Sequence, residues 1–121
     1  MSSYNDLEIY KLAYSLALKV HKATLKLPKF EIHEQGGQIR RSTKGIRDSI
    51  AEGYGRRRYK AEYIRYLIFS QASCDEATNQ ARGIVDLYPD ITDFVEILDE
   101  LDILGKKINN YTKYVETSWR T

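Results

Sequence analysis

Ile97, Leu101, Leu104, Ile108, Tyr111 and Val115 follow one another in steps of four and three residues. That heptad spacing places all six on one seam of an α-helix. A seam of this length is stable only when other helices cover it, because burying each Leu or Ile is worth ~1.5–3 kcal/mol against leaving it in water. In a chain of 121 residues with two prolines and seven glycines, the covering has to come from the rest of the same domain or from another copy.

Three further segments carry matching patterns. Ile9, Leu12, Ala13, Leu16, Val20, Ala23 and Leu27 recur three and four apart, opposite Glu8, Lys11, Ser15, Lys19, Lys22 and Lys26. This predicts an amphipathic helix over about 5–27, with Asn5 capping its start, Glu8 reaching back in a box-like arrangement, and Pro28 ending it. Tyr10, Tyr14, Ala17, Leu18 and Leu25 widen the apolar face beyond one stripe, which predicts more than one neighbour. A second helix, about 34–53, shows a narrow face of Ile39, Ser42, Ile46, Ser49, Ile50 and Gly53. Its small residues Ser42, Gly45 and Ser49 allow another backbone close, and Gly53 with Gly55 supplies the stop. The third, about 59–88, has the seam Leu67, Ser70, Cys74, Ala77, Ala81 and Ile84 before Pro89; the fourth spans about 92–117. Short connections between four such helices predict an all-α, antiparallel up-down-up-down four-helix bundle, with residues 1–121 as one domain.

Several function classes lack their residues. No Glu-x-x-His pair exists for a di-iron site, no Gly-x-x-x-x-Gly-Lys phosphate loop is present, and Cys74, His21 and His33 are too few for zinc. Neither histidine follows an arginine by the four to six residues that some helical ribonucleases use. His21 reads as a packing residue beside the first helix's apolar face, and His33 as a solvated loop residue. Cys74 is flanked by Asp75 and Glu76, which oppose thiolate formation, so it reads as core. Glu52, Asp75 and Glu76 read as partners for arginines on facing helices rather than as an acid/base group. The expectation is a protein with no catalytic residues, no cofactor and no metal. No apolar stretch long enough to span a bilayer occurs, the first residues do not resemble a secretory signal, and the lone cysteine suits a reducing compartment; a cytoplasmic location is expected.

The net charge of +2 hides a strong asymmetry. From Arg40 to Tyr66 there are nine basic side chains, Arg40, Arg41, Lys44, Arg47, Arg56, Arg57, Arg58, Lys60 and Arg65, against Asp48, Glu52 and Glu62. From Ile84 to Ile103 stand Asp86, Asp90, Asp93, Glu96, Asp99, Glu100 and Asp102, with no Lys or Arg. The first segment attracts phosphate and the second repels it. Around Gly53-Tyr54-Gly55-Arg56-Arg57-Arg58-Tyr59-Lys60 the cations meet tyrosine rings, a combination that suits unpaired nucleic acid. The chain's ten tyrosines suit a protein interface equally well. The nine basic residues and Tyr59 are therefore candidate nucleic-acid contacts, RNA or DNA. The alternative is an assembly or adaptor protein in which the same arginines meet the acidic segment of a neighbouring subunit or partner.

Asp6-Leu7, Leu27-Pro28, Gln38-Ile39-Arg40-Arg41-Ser42, Ser49-Ile50-Ala51-Glu52-Gly53-Tyr54-Gly55-Arg56 and Ser73-Cys74-Asp75-Glu76 together resemble the four-helix-bundle proteins encoded in intervening sequences of bacterial 23S ribosomal RNA genes. Their relative, the accessory protein of diversity-generating retroelements, is similar too. The Ile-Ala-Glu-Gly-Tyr-Gly-Arg stretch is the most specific of these pieces. The resemblance implies a homopentamer with a basic surface and, in the retroelement branch, binding to structured RNA and to a reverse transcriptase. It brings no catalytic residues with it.

Overall fold

The computed structural model describes residues 3–120. After a 3-10 turn at Tyr4–Asp6, five α-helices follow: α1 (Glu8–Thr24), α2 (Lys29–His33), α3 (Gln35–Gly55), α4 (Lys60–Leu87) and α5 (Asp93–Ser118). Four of them are long, and there is no strand among the described residues.

The start of the chain differs from the capping expected at Asn5. Ser3 supplies the cap: its Oγ accepts from the Asn5 backbone N–H at 3.1 Å, and the Asn5 side-chain amide donates to the same oxygen at 3.1 Å. Asn5 is consumed by the 3-10 turn, and Leu7 occupies the N-cap of α1 without a side-chain bond. Glu8 reaches instead to Lys107 of α5 at 3.3 Å. α1 also stops three residues before Leu27. The backbone N–H groups of Leu25, Lys26 and Leu27 turn to the carbonyls of Lys22, Ala23 and Thr24, tightening the last turn to i→i+3 bonds. Pro28 then serves as the N-cap of α2, where its missing N–H costs nothing.

α2 lies where the sequence reading placed a loop. What fixes it is polar: Glu31, only 7% exposed, accepts from Gln35 Nε2 and from the Tyr88 hydroxyl, both at 2.8 Å. These bonds tie α2 to α3 and to the end of α4.

The glycines of α3 act by lacking a side chain rather than by unusual backbone, since none has a positive φ. Gly53, expected as a helix stop, is buried inside α3 and faces α4, where an added Cβ would lie 2.8 Å from Tyr66 Cβ. Gly45 similarly faces Ser73, whose Oγ would be 3.0 Å away. Helix α3 ends at Gly55, and Arg56 closes it through N–H bonds to the Gly53 and Tyr54 carbonyls.

Side-chain pairings give the direction of each helix pair. Gly53, Ile46, Ser42 and Gln35 of α3 meet Tyr63 and Tyr66, Ser70, Glu76 and Gly83 of α4 in turn. Tyr63 and Cys74 of α4 meet Tyr111 and Leu101 of α5, and Glu8 and Lys19 of α1, with Lys26 just beyond its end, meet Lys107, Glu96 and Asp93 of α5. Tyr14 and Thr24 of α1 meet Arg47 and Arg40 of α3. One index rises as the other falls in every pair, so all four neighbouring pairs are antiparallel. The seam read in the sequence is the core: Ile97, Leu101, Leu104, Ile108 and Val115 are essentially inaccessible, as are Ile39, Ile46, Ile50, Tyr63, Leu67, Ala77, Ala81, Ile84 and Phe94. Buried hydroxyls inside it are satisfied, Ser70 Oγ donating to the Ile46 carbonyl at 3.2 Å and Thr43 Oγ1 to the Ile39 carbonyl at 2.9 Å.

Tyr14 and Leu18 of α1 and Leu25 at its C-cap remain 45–62% exposed, although the helix does contact both α3 and α5. Leu12, placed with the inner face by its spacing, is also left at the surface, and His21 is exposed rather than packed. No helix among the described residues is long and apolar enough to cross a membrane.

Candidate nucleic-acid interface

The turn between α3 and α4, Arg56 to Tyr59, sits at the end of the bundle where α5 also finishes. Trp119 follows α5 and folds back onto this turn. Its indole N–H donates to the Arg57 carbonyl at 3.2 Å, and its ring meets Tyr63 edge-on at 5.1 Å. Tyr63 is completely buried, and its hydroxyl shares a 2.7 Å hydrogen bond with that of Tyr111. Burial and this hydrogen bond hold the Tyr63 hydroxyl far above the usual phenol range. Tyr63 is therefore a neutral anchor for the turn.

Several of the candidate cations have work inside the molecule. Arg40 is half-buried and spans α1 and α2, donating from Nη1 to Thr24 Oγ1 at 2.8 Å and from Nη2 to the Ile32 carbonyl at 2.9 Å. Gly36 leaves room for it, because a Cβ there would lie 3.1 Å from Arg40 Nη1. Arg47 pairs with Asp48 at 3.2 Å and lies over the Tyr14 ring. Arg56 contacts Glu52 at 3.2 Å and Glu62 at 3.3 Å, while Arg65 takes the other Glu62 oxygen at 3.5 Å. Both of these arginines lie over Tyr66, and Arg65 also covers Phe69. Arg57 stacks on Tyr54 at 4.0 Å and donates to the Tyr54 carbonyl at 2.8 Å.

The others face outward. Arg41, Lys44 and Arg58 are exposed and Lys60 is half-exposed, and none of their side chains forms an ion pair or hydrogen bond among the described residues. Arg58 lies over Tyr59 at 6.0 Å, and Tyr59 is itself 65% exposed. Arg120 joins this group from the far end of the chain. With Gly55, Arg57, Arg58 and Trp119 it lines a shallow cleft of about 380 Å³. Sequence reading missed Arg120 and Trp119, because only tertiary contact brings residues 57 and 119 together.

The acidic segment is partly neutralised within the chain. Asp93 is bonded to Lys26 at 3.0 Å, and Lys19 bridges Glu96 at 2.6 Å and Glu100 at 3.0 Å. The Lys26 ammonium holds the Asp93 carboxyl below its ordinary value. Asp86, Asp90 and Asp99 carry no partner among the described residues.

Glu52, Asp75 and Glu76 do not make the inter-helix arginine pairs expected of them. Glu52 pairs along its own chain with Arg56, Asp75 accepts from Gln71 Nε2 at 3.5 Å, and Glu76 accepts from Ser42 Oγ at 2.9 Å. A helix-surface carboxylate takes the nearest donor, and for each of these it is local or a hydroxyl. Cys74 is buried, with burial and then Asp75 pushing its thiol up to about 11. No group of three or more His, Cys, Asp or Glu among the described residues could hold a metal ion.

A family model described as 23S rRNA-intervening sequence protein matches residues 5–110. No curated protein sequence matches the chain. The matched span includes the four long helices apart from the last turns of α5, and the chain belongs to this family.

Proposed function

We propose that this member of the 23S rRNA-intervening sequence protein family is a non-enzymatic, oligomeric bundle that binds nucleic acid, structured RNA by preference, through the α3–α4 corner. The observation that carries this reading is the company kept by Arg58, Lys60 and Arg120. Arg58 and Lys60 flank exposed Tyr59, and Arg120 shares a cleft with Arg58, all three without a carboxylate to neutralise them. Cations held in this way release counterions when they meet phosphate, and an exposed ring offers a stacking surface to an unpaired base. Arg56 and Arg65 play a different part, bracing the corner through Glu52 and Glu62, and Arg40 ties α3 to the end of α1 and to α2 through Thr24 and Ile32.

The test is a filter-binding titration of a structured RNA across a salt series. Affinity should fall linearly on a log–log plot, and the triple change Arg58→Ala, Lys60→Ala, Arg120→Ala should flatten the slope by about 2 to 3. Absence of binding at low salt, or an unchanged slope, would sink the proposal.

A second reading, assembly with copies of itself or with a partner protein such as a reverse transcriptase, is favoured by the uncovered stripe of α1. Tyr14, Leu18 and Leu25 recur at helical spacing on one face at roughly half exposure, the kind of apolar surface that partners cover. The two readings use different faces and are compatible.

A further inference from the structure

Two of the motifs noted in the sequence, Gln38 to Ser42 and Ser73 to Glu76, are more than thirty residues apart, yet α3 and α4 bring them to opposite walls of one pocket. Gln38, Arg41, Ser42, Ser73, Glu76 and Gln80 line its roughly 370 Å³, within the size range of small-molecule sites. Gly45 sets its width, since a side chain there would press on Ser73.

The polar accounting inside this pocket is incomplete. Ser42, 5% exposed, has one hydroxyl proton but three oxygen neighbours: the Gln38 carbonyl at 3.1 Å, Glu76 Oε1 at 2.9 Å and Gln80 Oε1 at 2.7 Å. Turning the Gln80 amide so that it donates to Ser42 satisfies the hydroxyl, with its proton going to Glu76. The Gln80 oxygen and the second Glu76 oxygen are then left in the pocket without a donor. On the facing wall Arg41 has no ion pair or hydrogen bond, and no salt bridge joins it to Glu76. A carboxylate and a guanidinium thus share one pocket without touching.

We infer that this pocket takes an unpaired guanine base. The ligand must present hydrogen-bond donors to one wall and acceptors to the other. Guanine does so with N1–H and N2–H₂ in one row and O6 with N7 in the next, the latter being the pair that arginine reads in a fork. The second Glu76 oxygen and the Gln80 oxygen accept from N1–H and N2–H₂, and Arg41 donates to O6 and N7. Adenine would turn its N1 acceptor toward the carboxylate, and uracil and cytosine offer a single donor site between or beside acceptors. Single-stranded bases are commonly read on these edges. The inference deepens the RNA-binding reading and, as a base site, rests on it; free nucleotide gives it a separate readout.

Two measurements test it. In titrations followed by ¹⁵N-¹H NMR, GMP should shift the amides of α3 and α4 around the pocket at concentrations at least tenfold below those needed for AMP, CMP or UMP. Glu76→Gln, at an exposed position, should abolish this preference while leaving the thermal melt unchanged. In parallel, oligouridylates with and without a single guanine should differ in affinity for the wild type but not for Glu76→Gln, with the salt slope the same in both proteins. Equal response to the four nucleotides, or a GMP preference that survives Glu76→Gln, overturns the pocket. RNA binding with no guanine effect overturns the pocket and leaves the basic corner standing. Selective GMP binding without RNA binding does the reverse. A change in oligomer size on Glu76→Gln, with no nucleotide selectivity in the wild type, would show that a second copy occupies the groove and would also overturn it.

Discussion

Gly53 shows how one missing methyl group sets the distance between two helices. An alanine there would gain about 1 kcal/mol of helix propensity, but its Cβ would sit 2.8 Å from Tyr66 Cβ and 3.4 Å from Tyr63 Cδ1. Tyr66 Cβ is fixed to its backbone and cannot rotate away, so α4 itself must shift, at about 1–3 kcal/mol for overpacking. Gly53→Ala should therefore lower the thermal midpoint, whereas Gly55→Ala, with nothing within 4 Å, should leave it level or raise it; circular dichroism melts compare the two. Cys74 gives a second residue-scale prediction. With 1% exposure and a thiol pushed up to about 11, it is protonated and shielded at pH 8. A thiol reagent such as dithionitrobenzoate should label it only as fast as the bundle opens, and rapid stoichiometric labelling of the folded protein would contradict the burial.

At the scale of elements, α1 and α5 are joined along their outer edge by Glu8 with Lys107, Lys19 with Glu96 and Glu100, and Lys26 with Asp93. These pairs are partly exposed, and each contributes about 0–1 kcal/mol after solvent screening. Their sign is nevertheless testable. The folded Asp93 carboxyl titrates below its unfolded value near 3.8 because of Lys26. Its contribution is present above that value and is lost as pH falls through the lower folded one. Carboxyl-carbon NMR titration should show the Asp93 midpoint moving upward in Lys26→Ala, with a smaller loss of stability on acidification between pH 5 and pH 2. Lys19 runs the other way: chiefly through its hydrogen bond to Glu96 its ammonium is held above 10.5, so its share is lost only in strong alkali. α2 is held by different means, the buried Glu31 carboxylate with Gln35 and Tyr88. Polar anchoring of this sort leaves no apolar periodicity in the sequence.

For the whole molecule, two surfaces of different chemistry coexist: a basic corner at Arg58, Lys60 and Arg120, and an apolar stripe at Tyr14, Leu18 and Leu25. If copies assemble through the stripe, Leu18→Glu with Leu25→Glu should reduce the mass seen by multi-angle light scattering to that of one chain, while the triple alanine change at the corner leaves the mass alone. The reverse pattern would show that the arginines hold subunits together through the unpaired Asp86, Asp90 and Asp99. The all-helical core was legible from one sequence because helix periodicity is local: Ile97 to Val115 and Leu67 to Ile84 declare their inner faces by spacing alone. Charge sorting was visible too, as a basic middle followed by an acidic stretch. Spacing could not say which cations are free, because that depends on partners distant along the chain. Thr24 occupies Arg40, and Trp119 carries Arg120 to the turn at Arg57. Nor could it show that Ser42 and Glu76 meet, since the register between α3 and α4 is set by close approach at Gly45 and Gly53. The sequence by itself determined the helices and the side each buries, through short-range periodicity. Only the tertiary structure decided which polar groups are neutralised and which are left facing outward, because pairing is a property of three-dimensional neighbours.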